Sequence, residues 1–559
     1  MLLLPVLYHS IYALLLCQMN LPISRRSFII GTASLAALAA FGKFGWWNAE
    51  APVTGSIVGA NSAMGHKLRD HASFPEPSRS IQKKTVIIGG GIAGLSAAWK
   101  LQQSGFHDFM LLELEKDVGG NASSGENTVS AYPWGAHYVP FLTEESICAR
   151  ELFKELGVIT GYQNGKPVYN EYYLCADPHE RLFMMGRWQE GIVPQVGISD
   201  KDKAQYHAFF AQMEHFKELK GQDNRRVFTI PVDKSSADPH WRALDTITMV
   251  EYLHQNGWDS EHLHWYVNYC CRDDYGANVD AVSAWAGIHY FAARNGKAAN
   301  ADPGGMVTWP EGNGWIIKQL KAKLADHISS NALAYQVVQQ HDHVVVRYLD
   351  LLTNTVTEVE ASSVIFATPR FVAERLLTTG LNISELQYSP WMVANVTLDK
   401  LPQGKGAALA WDNMIYKSEL LGYVVATHQN LNRIQHETVL TYYWPLSHLS
   451  PKEAREQMIK RSYEEWRDII LEELLHIHPE LKGHIKQLDV WLWGHGMIRP
   501  IPGYIWGKIR QATLKQAPPA FYAHSDMSGI SIFEEANFYG VQAAEALMTH
   551  LKHPYRTSL

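Results

Sequence analysis

Basic residues are not in excess: 49 Lys and Arg face 56 Asp and Glu, for a net charge of −7 over 559 residues. That balance leaves no positive footprint for a phosphate backbone and excludes nucleic acid as a partner class. Cysteine is scarce. Cys17, Cys148, Cys175, Cys270 and Cys271 show neither zinc-ligand spacing nor a C-x-x-C pair, so neither a metal site nor a disulfide framework is expected. The adjacent Cys270 and Cys271 are compatible with a vicinal disulfide or with two buried thiols. Charged residues make up only 19% of the chain, whereas 46% is hydrophobic and 18 Trp, 26 Tyr and 26 His are present. This is the composition of a globular protein with a large core, and the length calls for two lobes rather than one.

The N-terminal region reads as an address. Ser24-Arg25-Arg26-Ser27-Phe28-Ile29 precedes the uncharged run Ile30 to Gly42, which is too short to span a bilayer but fits the apolar region of a leader. An arginine pair followed by Phe and a modest apolar stretch is similar to a twin-arginine signal. It implies the twin-arginine export machinery as a partner and a periplasmic or exported location, with the leader either cleaved or retained as an anchor. Met1 to Leu16 carry no Lys or Arg, and Met19 would start a leader of ordinary length. The expected start is therefore Met19. Residues 51–83, broken by Gly55, Gly59, Gly65, Pro75 and Pro77, read as a linker.

At residue 85 the pattern changes. Thr85-Val86-Ile87-Ile88 is a β-branched apolar strand, followed by Gly89-Gly90-Gly91-Ile92-Ala93-Gly94 and the helical Leu95 to Leu101. This is G-x-G-x-x-G in the strand–turn–helix context that gives it meaning. Gly89 permits the turn, Gly91 lets backbone N–H groups near a diphosphate, and Gly94 lets helix and strand pack closely. Ile92 and Ala93 open the helix whose N-terminal N–H groups face the phosphates. A second strand, Phe109 to Leu112, ends in Glu113, placed to accept ribose hydroxyls. A dinucleotide-binding α/β domain of Rossmann type follows.

Further along come Glu115-Lys116-Asp117-Val118-Gly119-Gly120-Asn121, Trp134-Gly135-Ala136-His137-Tyr138, Val364-Ile365-Phe366-Ala367-Thr368-Pro369, and Phe521-Tyr522-Ala523-His524-Ser525-Asp526 before a helix at Val541 to Leu551. With the glycine motif, these segments resemble the flavin-containing amine oxidase superfamily, which also includes protoporphyrinogen oxidase and the carotenoid desaturases. The resemblance covers about residues 84–552. It implies non-covalent FAD, held by Gly89, Gly91, Ile92, Ala93, Gly94, Glu113, Gly120, Asn121, His137, Val337, Ala367, Asp526 and Ala536. Asp526 is the expected ribityl–phosphate acid, although His524 and Ser525 stand where that family has glycine beside its acid. The implied layout alternates an FAD domain (84–140, 305–372, 488–555) with an α+β substrate domain (141–304, 373–487).

The expected catalytic residues lie in Trp491-Leu492-Trp493-Gly494-His495-Gly496-Met497-Ile498-Arg499. Trp493 would wall the pocket, His495 would act on a proton, and Arg499 would hold a substrate carboxylate. His495 reads equally well as a structural histidine, and Arg499 could equally hold an internal acid. Tyr275 and Trp285 are core residues or pocket walls. Many amine oxidases of this superfamily carry a lysine near the flavin on the strand that corresponds to Trp391 to Leu398. Asn395 falls there instead, so electrons are expected to leave for an acceptor other than oxygen. The function implied is hydride transfer from a C–N or C–C bond of a small organic substrate to FAD. A redox-neutral isomerase and a non-catalytic flavin-stabilised binding protein are the alternatives.

Overall fold

The computed structural model describes residues 53–430 and 434–559. The arginine pair, the leader, the Met19 start and Cys17 lie outside the described residues. Two large sheets organise the rest, and their strands are numbered β1 to β15 in chain order.

The first sheet carries the glycine motif. Its parallel part runs in the order β6 (Ile328–Ser329), β3 (Phe109–Leu112), β2 (Arg79–Ile88), β9 (Thr355–Phe366). Antiparallel β8 (Val344–Asp350) and β7 (Ala332–Gln339) extend it beyond the first half of β9, while β15 (Ala520–Tyr522) pairs in parallel with the last three residues of β9. Val86, Ile87 and Ile88 are at most 4% exposed, the uninterrupted apolar pattern of a strand covered on both faces. Helix α2 (Ile92–Gln103) starts directly behind β2, and helix α4 (Phe533–His550) lies against it. A Cβ at Gly540 would sit 2.3 Å from the Ala93 carbonyl oxygen, so the two helices touch backbone to backbone.

The second sheet is ordered β1 (Ile57–Val58), β14 (Ile485–Ile498), β10 (Tyr388–Leu398), β13 (Thr438–Pro445), β12 (Tyr423–Val425), β11 (Asp412–Ile415), β4 (Glu180–Met184), β5 (Arg187–Glu190). Its long central strands β10 and β13 are buried throughout, and helix α3 (Glu261–Tyr275) packs in the aromatic core against it. Tyr275 and Trp285 are core residues, each 0% exposed, and Tyr275 donates to the Ala286 carbonyl at 2.7 Å.

Two sequence expectations change. Residues 51–83 are not a plain linker: Ile57 and Val58 pair with Val490 and Trp491, α1 (Ser62–Arg69) follows, and β2 already begins at Arg79. Glycine and proline broke the local pattern there, but the pairing partners lie more than 400 residues away. The boundary at 487/488 falls inside β14, which runs on through Gly494 and Gly496. All four described cysteines, including Cys270 and Cys271, are free and buried.

The clamp between α2 and α4 is ionic at its far end. Lys100, 1% exposed, lies 3.3 Å from Glu545 and donates to the Arg556 carbonyl (2.7 Å) and to Ser558 Oγ (2.6 Å). Glu545 also accepts from the Ser558 backbone N–H at 2.7 Å. Replacing one member of a buried pair strands the other charge. Lys100→Met should therefore destabilise the protein by about 3–5 kcal/mol in urea unfolding, and Glu545→Gln in the same chain should recover part of it.

Candidate functional site

The parallel strands β3, β2, β9 and β15 end along one line, and a cleft of about 480 Å³ opens above it. Ligands of open α/β sheets lie across such carboxyl ends. In sheet order the wall is Glu113, then Gly89 to Ala93, then Ala367 and Thr368, then His524 and Ser525. The second sheet closes the far end with Trp391, Val393, Tyr443, Trp493, Gly496 and Met497.

The phosphate end is built from backbone. Gly89 has φ +108°, and a Cβ there would meet the Ala367 carbonyl oxygen at 2.5 Å. A Cβ on Gly94 would lie 1.9 Å from the Gly89 carbonyl oxygen, so only glycine lets α2 start so close to β2. Gly94 thus acts from beneath the cleft rather than on its wall. Gly91 differs: the nearest atom to a Cβ there is Gly120 Cα at 3.9 Å, so the space beside it belongs to the cleft. Helices α2 and α4 both begin here without a side-chain cap, leaving the N–H groups of their first turns free for an anion. Gly120, at φ +54°, and Asn121 complete this wall, and Asn121 donates to the Gly496 carbonyl across the two sheets.

Glu113 accepts from the Gly90 N–H at 2.7 Å and from the Glu115 N–H at 2.8 Å. Burial nonetheless pushes its carboxyl up to about 7. The cleft wall also carries orphaned polar atoms, Thr368 Oγ1 and Asn313 Oδ1, which have no partner among the described residues. Uncapped helix N-termini, a buried carboxylate at the second strand and unpaired hydrogen-bonding groups between them are what a dinucleotide requires. The residues present fit FAD.

At the far end the wall is aromatic. Trp493 donates to the Trp134 carbonyl at 2.7 Å and stacks on Trp491 at 4.9 Å. His137 stacks on Tyr443 at 4.7 Å, and the Tyr443 hydroxyl donates to the Gly135 carbonyl at 2.9 Å. Burial pulls the His137 imidazole down to about 4, so it is neutral at pH 7. Ala536 lies on the wall beside Glu534 at the start of α4.

Five expectations are corrected by position. Asp526 is fully buried behind the wall. Burial opposes its charge, but His524 Nδ1 at 2.9 Å, the Tyr388 hydroxyl at 2.5 Å and the Arg370 N–H at 2.9 Å hold its carboxyl below the ordinary range. His524 and Ser525 take the cleft positions instead. Val337 pairs with Val346 in the sheet core, beyond an irregularity at Ala334 and Gln336, and Ala332 to Ala334 face the cleft. His495 lies off the cleft against Phe371, ring centroids 4.6 Å apart. Arg499 is buried, donating to Ser389 Oγ at 2.7 Å, and holds no cleft position. Asn395 donates to the Pro133 carbonyl at 3.0 Å and accepts from Thr441 at 2.6 Å, while Trp391 and Val393 are the residues of β10 on the wall. No lysine is among the described residues that line the cleft.

Sequence reasoning missed Asp273, Asp274, Arg294, Tyr138 and Glu534, all on the wall. Arg294 pairs with Asp274. Glu534 stood ahead of the helix expected at Val541 to Leu551, which in the structure already begins at Phe533, and Asp273 and Asp274 were visible only as neighbours of Tyr275.

Residues 87–156 match the NAD(P)-binding Rossmann-like domain family. An L-amino acid oxidase of Cerastes cerastes is 38% identical over 143 residues, which is 25% of this chain and 27% of that protein. The chain thus matches about a quarter of the length of this curated relative. A putrescine oxidase redesigned in cofactor binding superposes with a TM-score of 0.63 at 15% identity, over 84% of this chain and all of the other. The fold is that of the FAD-dependent amine oxidases. Within this amine oxidase fold chemistry varies: a fatty acid isomerase from P. acnes matches with a TM-score of 0.57 at 17% identity, over 84% of this chain and 98% of its own.

The buried acids make stability depend on pH. Glu113, Asp245, Asp273, Glu473 and Glu534 are pushed up to about 7 and Glu535 to about 8 by burial, far above their unfolded values. Below pH 6.5 this is opposed by His137, His289 and His478, which burial lowers to about 4. Above pH 6.5 only the acids act, and the folded state then holds more protons than the unfolded one. The urea midpoint of cofactor-free protein should therefore fall between pH 6.5 and pH 8.

Proposed function

We propose that the protein is an FAD-dependent oxidoreductase that takes a hydride from a C–H bond of a small organic substrate and so oxidises the adjoining C–N or C–C bond. The carrying observation is the single cleft that runs from Glu113 and the glycine loop to the aromatic wall of the second sheet. One end suits the adenosine and diphosphate, and the other leaves a water-poor space between Trp391, Tyr443 and Trp493 for a reacting carbon. When bound, the flavin supplies a two-electron acceptor. The chain's own contribution is binding and orientation. The first turns of α2 and α4 hold the diphosphate, Glu113 takes ribose hydroxyls, and the aromatic side chains exclude water from the reacting bond.

The cofactor is non-covalent in this reading. Cys148, Cys175, Cys270 and Cys271 are all buried, and none lies on the cleft wall. Electrons pass to an acceptor other than oxygen, because no fixed cation among the described cleft residues is free to stabilise a developing superoxide: Arg294 is tied to Asp274. Export through the twin-arginine route completes the proposal and rests on Arg25 and Arg26.

Gly91→Asp tests the site directly. Since a Cβ fits there with only an ordinary contact to Gly120 Cα at 3.9 Å, the variant should stay folded by circular dichroism yet lose at least nine-tenths of its flavin absorbance. Stoichiometric flavin in that variant would overturn the assignment of the phosphate loop. In the wild-type protein, trichloroacetic acid should release the chromophore into the supernatant. Changing Arg25 and Arg26 together to Lys should leave flavin-loaded precursor in the cytoplasm, because lysine keeps the charge and loses the planar fork. A coupled peroxide assay in air should show slow turnover with any amine. Rapid peroxide formation would return oxygen as the acceptor.

A further inference from the structure

Residues 53–78 join the two sheets by crossing over one end of the cleft. They leave the second sheet at β1, where Ile57 and Val58 pair with Val490 and Trp491 of β14, and enter the first sheet as β2 at Arg79. Two further ties hold the crossing in place. The Asn61 N–H donates to Glu115 Oε1 at 2.7 Å, and the Glu115 N–H donates to Glu113 Oε1 at 2.8 Å. The tether thus reaches the carboxylate assigned to the ribose. Past α1, Phe74 stacks on Tyr335 of β7, with ring centroids 4.0 Å apart and 13° between the planes.

Helix α1 lies between these ties, capped by the Asn61 side chain, which accepts from the Met64 N–H at 3.2 Å. Ser62, Ala63, His66 and Arg69 form its exposed outer face. Met64, Gly65 and Leu68 form the inner one, with the three- and four-residue spacing of one helix side. Yet none of its residues is buried. Met64 and Leu68 reach the small apolar cluster of Leu333, Leu349 and Val356, while Gly65 and Leu68 lie on the cleft wall itself. Around them that wall is apolar: Leu114, Leu333, Val372 and Leu376. A Cβ on Gly65 would lie 3.6 Å from Leu114 Cδ2, an ordinary contact. Alanine would therefore fit the protein and favour the helix, but glycine keeps the space beside Leu114 open to the cleft. Leu114 directly follows Glu113, so this apolar slot begins one residue past the ribose carboxylate. A flat ring with apolar faces, joined to a ribose, is a purine nucleoside.

We propose that α1 is one wall of the adenine site: Gly65 and Leu68 close over the purine of FAD, and residues 53–78 open to admit the cofactor and hold it once bound. The inference rests on the FAD-dependent reading above. It gives a cofactor contact to a part of the chain that lies ahead of the glycine motif. Bound FAD makes α1 harder to reach from solvent, and a weakened α1 lets FAD leave faster.

Trypsin supplies the first test, because Lys67 and Arg69 are its sites within α1. Full-length protein purified with its flavin, and the same protein stripped of flavin, are digested, and fragments beginning at Leu68 or Asp70 are followed by mass. Cutting there should be at least about tenfold slower in the loaded protein. ADP, given to stripped protein at a concentration that blocks FAD rebinding, should protect α1 as FAD does. FMN, which has no adenine, should leave it open. The second test follows FAD release from loaded protein by flavin fluorescence. Leu68→Ala should release FAD about tenfold faster, a difference of about 1.4 kcal/mol, with an unchanged circular dichroism spectrum. Equal cutting of loaded and stripped wild type overturns the proposal, and so does unaltered release from a folded Leu68→Ala variant. Protection by FMN equal to that by ADP also overturns it, since closure would then answer to the flavin end. Stoichiometric FAD with no effect on α1 removes the adenine wall alone and leaves the oxidoreductase reading standing. Protein that binds neither FAD nor ADP removes both.

Discussion

Everything in the site depends on how closely one helix can follow one strand. The Gly94 position stands 1.9 Å, at its would-be Cβ, from the Gly89 carbonyl oxygen, so any side chain there would push α2 away from β2. With that approach preserved, the first turn of α2 reaches the carboxyl edge of the sheet and its N–H groups point outward without a cap. The second uncapped helix, α4, is brought to the same edge by its own backbone contact, Gly540 on Ala93. Two positive helix ends therefore converge where four parallel strands stop, and anion binding there needs no lysine or arginine.

The other half of the cleft comes from a separate sheet with different rules. Strand β10 carries alternate residues to the cleft and to the core, so Trp391 and Val393 face inward while Met392 packs away. A tether joins the two sheets at the cleft itself: Asn121, from the glycine-pair segment, donates to the carbonyl of Gly496 in β14. Gly496, where a Cβ would meet the Trp391 ring at 2.9 Å, leaves room along this wall, and Trp391 and Trp493 beside it set its width.

The strand, glycines, helix and Glu113 were legible in sequence because each answers a local backbone requirement that only certain residues meet. The same local logic fails by one residue at the C-terminal block. Ala523-His524-Ser525-Asp526 contains several polar groups, and which ones face the cleft depends on where β15 ends, so His524 and Ser525 reach it and Asp526 does not. Ser525–Met527 form a 3-10 turn just past β15, and it turns Asp526 away from the cleft toward Tyr388. Asn395 illustrates a different limit. It shares a face with Trp391 and Val393, but its hydrogen bonds to Pro133 and Thr441 lie past the end of the cleft, and sequence does not report where a cavity stops. The pairing of Ile57 and Val58 with β14 was hidden because only the folded sheet brings those two segments together.

The ionic clamp at the far end of α2 has a consequence for the cleft. Helix α2 is 12 residues long, about 18 Å, with the phosphate loop at one end and Lys100 near the other. Lys100 and Glu545 bind the last residues of the chain, Arg556 to Ser558, to both helices whose first turns face the ligand. The C-terminal strap and an anion in the cleft thus stabilise the same pair of helices from opposite ends. To the extent that they do, the two are thermodynamically linked. Whatever free energy strap docking adds to anion binding, anion binding returns in equal measure to strap docking.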